Sequence, residues 1–337
     1  MVAAIIVPFI AAAFASAGLL ALLMRVLPSG FLGAAVTDRS NHTQPARQLG
    51  GLAIVPVVVA SLWIFGPEIG PGLRFALCAS LSALLLWIIG FLDDRRHLPE
   101  TIRLAAQLAA SVIAVHGLGA DFRLLPELVP FLAERLLLVL ALVYFINLTN
   151  FMDGIDLMVV SGLGIPLALL AGFSAMGLVA LGTGSLAASI AGGLAGFAVF
   201  NRPKARVFLG DSGSLPLGML AGLCFFLVAR DLSIWAGVIV PLFFIADASS
   251  TLLMRLAAGE NILTAHSKHA YQLARRAGVP VWHIVSRVAV LNLVLGACAL
   301  ATLPQDWRRP IAILIALAAT AGLILAFRRS RKQDDPL

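Results

Sequence analysis

The chain has 337 residues, of which 60% are hydrophobic and 12% charged. A water-soluble domain carries roughly twice that share of charge, so a soluble fold is excluded. The net charge of +7 comes with no basic helix and no aromatic-studded strands; it argues against nucleic-acid binding and fits cations retained in loops on one side of a membrane. Strand-length alternation is missing, which argues against a β-barrel. Cys78, Cys224 and Cys298 stand in apolar runs without CxxC spacing and read as packing rather than disulfide or metal ligands. The fold class that remains is all-α: a polytopic integral membrane protein with about 10–11 transmembrane helices, read as a single transmembrane domain over 1–337.

In chain order, apolar runs long enough for a bilayer predict spans at roughly 2–24, 50–66, 73–92, 102–118, 134–149, 157–173, 178–200, 214–230, 233–254, 284–303 and 310–327. The first lacks a basic flank, so a retained span is expected rather than a cleaved leader. Gly and Ala are dense over 178–198, which suits close helix–helix contact. Assigning the loops alternately to the two sides puts 18 of the 24 Lys and Arg residues after odd-numbered spans or in the tail. That side is therefore read as cytoplasmic, with the N-terminus outside and the C-terminus inside. The stretches DRSNHTQPARQLGG, FLDDRRHLPETIR, NLTNFMDGID, NRPKARVFLGDSGS and ENILTAHSKHAYQ all fall on it, as a single cytoplasmic active site requires.

The most informative stretch is FLGDSG, at 208–213. Asp211 lies among glycines and hydroxyls, shortly after Arg202, Lys204 and Arg206. Small residues let a backbone approach a ligand closely, and cations nearby favour an anionic one. An acid facing an anion repels it unless a metal ion lies between them. The pattern points to a magnesium–phosphate site at a membrane surface.

Asp93 and Asp94 end the third span, where an ionised side chain costs a few kcal/mol without water or a partner. They read either as a solvated helix end paired with Arg95 and Arg96, or as a base or metal-organising pair with Arg103 as phosphate partner. Asn147, Asn150, Asp153 and Asp156 recur every three residues, on one face while a helix continues. They read as a polar cap or as a ligand set, and Asn150 with Asp211 suffices for magnesium, which takes one or two protein oxygens beside phosphate and water. Phe208 is either core or a platform on which a nucleobase stacks. His266 and His269 have HxxH spacing but a lysine between them and no third ligand nearby, which favours phosphate-facing donors over zinc. His42 has a weaker claim of the same kind. Asp247, an acid inside a span, pairs with a cation or lines a cavity.

Taken together, GFLDD, NxxNFMDGID, VFLGDSGS and a histidine loop, in that order, resemble the polyprenyl-phosphate N-acetylhexosamine-1-phosphate transferase superfamily of WecA- and MraY-type enzymes over nearly the whole chain. The resemblance implies transfer of a sugar-1-phosphate from a UDP-N-acetylhexosamine to polyprenyl (undecaprenyl) phosphate, releasing UMP, with Mg²⁺ or Mn²⁺, at the cytoplasmic face of a bacterial inner membrane. It implies Asn150 and Asp211 as metal ligands and Asp93 as base with Asp94 beside it. Phe208 would stack on uracil, Asn147, Asp153 and Asp156 would organise the nucleotide-sugar, and Arg103, His266 and His269 would contact phosphate or sugar. A homodimer is compatible with this reading. Three departures stand out: PARQLGG in place of a PTPRGGG-like run, Leu157 after DGID where Gly is frequent, and HAYQ in place of a multi-histidine run. These lean towards enzymes that begin O-antigen or related lipopolysaccharide glycans, using UDP-N-acetylglucosamine or an N-acetylated 6-deoxyhexose. The reaction implied is an in-line, one-step displacement, and a covalent aspartyl intermediate is compatible with the residue types. A lipid-linked-sugar transporter or flippase without chemistry is the alternative; it favours polar residues at mid-membrane and internal repeats. A CDP-alcohol transferase needs an Arg and later acids that NFMDGID lacks.

Overall fold

A bilayer offers no water to backbone groups, and a helix satisfies them within one segment. The apolar runs fold accordingly. A computed structural model of the chain describes residues 1–33, 46–65, 72–261 and 267–330. Its helices are α1 (Val2–Val26), α2 (Gly50–Phe65), α3 (Leu73–Arg96), α4 (Glu100–Gly117), α5 (Phe131–Phe151), a π-helical turn (Val160–Gly164) leading into α6 (Ile165–Ala175), α7 (Leu181–Asn201), α8 (Asp211–Asp231), α9 (Ile234–Ile239), α10 (Leu242–Ala257), α11 (Ala270–Arg276), α12 (Val281–Ala301) and α13 (Arg308–Arg329). Each expected span falls mainly on helix. Among the described residues seven helices are individually long and apolar enough to cross a membrane: α1, α3, α5, α7, α8, α12 and α13. The expected span at 233–254 is two helices, because Pro241 has no N–H to donate and its ring clashes with the preceding turn.

The bundle is built around α8. Within its most apolar window 89% of residues are buried, against 28% for α1 and α13, so α8 is the hub and those two are lipid-facing. It packs against α2, α3, α5 and α9, and its first residue is Asp211. The Gly- and Ala-rich α7 lies along α1. At Gly192 and Gly196 a side chain would collide with the carbonyls of Phe9 and Ala13, the close backbone approach that small residues permit between membrane helices.

The α4–α5 connection is closed by a buried carboxylate. Glu134 is 3% exposed; it accepts from the N–H groups of Leu124 and Leu125 and pairs with Arg123, while Arg135 donates to the carbonyls of Gly119, Ala120 and Phe122. Breaking a buried ion pair on one side costs about 3–5 kcal/mol. Glu134→Ala is therefore expected to lower the thermal midpoint in detergent by several degrees without changing the catalytic pH profile, whereas Glu127→Ala, in the same loop but in none of these bonds, leaves the midpoint in place.

Candidate active site

The FLGDSG backbone is gripped from two sides. The N–H groups of Gly50 and Gly51, at the start of α2, donate to the carbonyls of Phe208 and Leu209 at 2.9 Å each, and the Phe208 N–H donates to the Arg47 carbonyl at 2.9 Å. A side chain at Gly51 would strike the Ser212–Gly213 backbone, and one at Gly90 of α3 would strike Asp211. The LGG of the departing PARQLGG motif is thus a seat for the acidic loop. Arg47 donates to the carbonyls of Met24, Leu27 and Phe31 and closes the end of α1.

Asp94 takes the N-terminus of α8. Its two carboxylate oxygens accept from the Asp211 N–H at 2.8 Å and the Ser212 N–H at 3.1 Å, a charge placed where orphan donors and the helix dipole favour it. Gly210 has φ of +73° and its missing side chain leaves room for that carboxylate. Asp93 is buried; it accepts from the Leu98 N–H at 2.6 Å and from Arg103 at 3.1 Å. The same Arg103 Nη1 lies 3.4 Å from Asp211 Oδ2. The neighbouring acids therefore have different partners: Asp94 holds backbone, and Asp93 shares a guanidinium with Asp211.

Asn150, at the end of α5, donates through Nδ2 to Asp211 Oδ1 at 2.8 Å and to Ser214 Oγ at 2.9 Å. Three motifs far apart in sequence thus meet at Asp211. Asn147, one turn earlier, makes a reciprocal amide pair with Gln107 of α4, at 2.6 and 3.2 Å. Asp153 is half-buried; burial, and then the charges of Asp211, Asp94 and Asp156, push its carboxyl well above the ordinary range. Asp156 is buried and accepts from the Ala205 N–H at 3.3 Å, holding the loop that leads to FLGDSG. Among the described residues no group of three His, Cys, Asp or Glu is close enough to hold a metal by itself.

The histidine loop reaches the site through packing. His269 is 1% exposed, and its ring stacks between those of Phe151 and Tyr271. The Tyr271 hydroxyl donates to the Phe151 carbonyl at 2.9 Å. Asp247 accepts from the Ala270 N–H at 2.9 Å, so the acid inside the span anchors α11. Phe208 is half-buried, its backbone held on both sides. His266 and His42 lie outside the described residues.

Motif reading missed Gly51, Gly90, Gln107 and Asn201. Asn201 accepts from the Leu157 N–H at 2.7 Å and donates to the Val207 carbonyl at 2.9 Å, tying the DGID turn to the strand-like run before FLGDSG. Leu157 has φ of +60°, a conformation that costs a non-glycine residue about 1–2 kcal/mol. The departure from Gly at this position is therefore a strained one, offset by burial of the leucine side chain, 8% exposed. Leu157→Ala loses the burial and keeps the strain; Leu157→Gly loses the burial and the strain. The glycine variant is expected to be the more stable of the two by about 1 kcal/mol, the reverse of the usual order, in a thermal-unfolding comparison.

The bundle and its acidic cluster define a multi-pass helical membrane protein with a polar centre at one end of its core helix. The glycosyl transferase family 4 model matches residues 76–229, a stretch that holds Asp93, Asp94, Arg103, Asn150 and Asp211. The chain is 26% identical over 282 residues to a probable undecaprenyl-phosphate N-acetylglucosaminyl 1-phosphate transferase of Bacillus subtilis, covering 77% of this chain and 75% of that one. It is 26% identical over 344 residues to a decaprenyl-phosphate N-acetylglucosaminephosphotransferase of Mycobacterium tuberculosis, covering 89% and 83%. Over 226 residues it is 26% identical to a phospho-N-acetylmuramoyl-pentapeptide-transferase of Listeria innocua, covering 61% and 67%. These matches bear out the resemblance carried by the motifs: the chain is similar to members of the polyprenyl-phosphate N-acetylhexosamine-1-phosphate transferase superfamily.

Proposed function

We propose that the protein transfers an N-acetylhexosamine-1-phosphate, N-acetylglucosamine-1-phosphate in the first instance, from its UDP-sugar to a polyprenyl phosphate, releasing UMP and starting a cell-envelope glycan at the cytoplasmic face. The observation that carries this reading is the meeting of Asp211 with Asn150, Arg103 and Asp93 at one end of the core helix. Two relatives named for N-acetylglucosamine support the sugar.

The donor set fits Mg²⁺. It consists of oxygen ligands from one carboxylate and one amide, at a site crowded with Asp93, Asp94 and Asp153 and with Arg103, among the described residues, as the one cation bonded to Asp211. Asn150 presents its amide nitrogen to Asp211, and rotating the amide would present the oxygen instead. Asp211 and Asn150 would hold the ion, substrate phosphates completing its shell, and it would neutralise the diphosphate and polarise the bond to UMP. The chain's own residues do the rest. Asp94 fixes Asp211 at the head of α8, and positioning of this kind supplies much of the acceleration of phosphoryl transfer. Arg103 presents a guanidinium to the incoming lipid phosphate. Asp93 is the base for that phosphate; an oxygen of the lipid phosphate then attacks the sugar-bearing phosphorus, and the bond to the UMP oxygen breaks with its electron pair on UMP. Phe208 stacks on the uracil.

The test is a purified-protein assay with polyprenyl phosphate and a panel of UDP-sugars, with and without Mg²⁺. UMP release that needs both the lipid phosphate and the metal is the expected result. Transport of a lipid-linked sugar in proteoliposomes without UMP would overturn the reading.

A further inference from the structure

Helix α10 and the second half of α13 line two adjoining cavities that share Met254 and Arg328. One is an apolar groove of about 430 Å³, walled in part by Leu242, Ala246, Leu317, Ala321 and Ile324. The other, of about 130 Å³, sets the charged side chains of Arg255, Glu260, Lys268 and Arg328 beside Met254 and Leu273. Lys268 and Arg255 meet at Glu260, at 2.5 and 3.0 Å, and hold its carboxyl below the ordinary range. Among the described residues the lining thus sets one carboxylate against three cations, and Asp247, one turn before Thr251 on α10, adds a second acid within electrostatic range of Arg328. Arg328 donates to Thr251 Oγ1 at 2.9 Å, Ser250 Oγ at 3.4 Å and Met254 Sδ at 3.2 Å; none of these groups is an acid.

A cationic cup opening onto an apolar groove, on a lipid-facing helix, has the layout of an amphiphile with an anionic head. We propose that it binds an anionic phospholipid of the surrounding bilayer, with the phosphate on Arg328 and one acyl chain between α10 and α13. Two observations favour a bilayer lipid over the polyprenyl acceptor. The groove has room for a single acyl chain, not for a chain of ten or eleven isoprene units such as the relatives' names specify. Among the described residues, no side chain lining either cavity bonds to Asp93, Arg103, Asn150 or Asp211. Anionic lipids attract a cation at the membrane surface by about 1 kcal/mol each, and Arg328 adds directional donors to that attraction.

Native mass spectrometry of the full chain in detergent, titrated with phosphatidylglycerol, phosphatidylethanolamine and decaprenyl phosphate, tests this assignment without reference to the transferase reaction. Phosphatidylglycerol is expected to bind one per chain and more tightly than phosphatidylethanolamine, about fivefold more weakly in Arg328→Gln, and not at all in Ala321→Trp, which fills the groove from an exposed position. Unchanged phosphatidylglycerol binding in both variants overturns the proposal. So does one-for-one displacement by decaprenyl phosphate in the wild type, which would assign the groove to the acceptor. Retained UMP release in the variants separates the lipid site from the reaction site.

Discussion

Asp211→Asn is expected to reduce UMP release from the UDP-sugar by about 10³-fold or more while the protein still inserts and keeps its helical content. The substitution is nearly isosteric. An asparagine oxygen can still accept from Asn150, now 2.8 Å away, and the backbone N–H groups that Asp94 caps at the head of α8 are untouched. What is lost is one negative charge where, in the proposed reaction, two anionic reactants would be brought together, and that charge is what would hold the divalent cation between them. The checks are UMP release under saturating substrates and circular dichroism of the purified variant. Normal turnover by a well-folded Asp211→Asn protein would end the reading of this residue as a metal ligand. Asn150→Ala is expected to follow it with a smaller loss and a raised requirement for Mg²⁺, because it removes the weaker of the two ligands.

Gly51→Ala and Gly90→Ala are expected to lower activity by about 10²-fold, by a different route. Each added methyl group would be driven into the backbone of the acidic loop, at Ser212–Gly213 or at Asp211, and backbone in a packed core yields less than a flexible side-chain tip. Overpacking of this kind costs about 1–3 kcal/mol, and here the displaced atoms are those that set the direction of the Asp211 carboxylate. A shift of about 1 Å in a catalytic group is worth roughly 10² in rate. Gly172→Ala, in α6 with nothing within 4 Å of the added atom, is the control; it should be neutral or raise the thermal midpoint slightly, since alanine is the better helix residue. Equal tolerance at Gly51, Gly90 and Gly172 would remove the close approach of α2 and α3 from the account of the site.

Much of the site was legible before any coordinates. Asp211, Asn150, Arg103 and the Asp93–Asp94 pair stand out because polar groups at the ends of apolar runs are costly unless they have work to do, and the fold brings them into contact. Their individual partners were not legible. Asp93 and Asp94 are neighbours in the chain, but a helix turns successive side chains about 100° apart, so one faces Arg103 and the other the head of α8. Asn147 and Asn150 share a helix face, yet a neighbouring α4 supplies Gln107 to one while α8 supplies Asp211 to the other. His269 carries a motif that suggests a ligand contact, but a Phe and a Tyr from two different segments enclose its ring. Asp247 could not be assigned from its span because its partner, the Ala270 N–H, lies 23 residues away.

Composition and hydropathy alone determined that the chain is a bundle of membrane helices, roughly where the apolar segments lie, and which acids and amides stand near their tips, because the cost of placing charge or unpaired backbone in hydrocarbon is local to each segment. The tertiary structure alone decided that α8 is the central helix, that Gly51 and Gly90 are the surfaces against which its acidic head is seated, and that Asp94 is a clamp while Asp93 faces the arginine. Those outcomes depend on which side chains approach within hydrogen-bonding distance across 50 to 120 residues of sequence, as between Asn150 and Asp211 or Asp94 and Asp211, and a distance of that kind is set by how helices pack, not by the residues of either one.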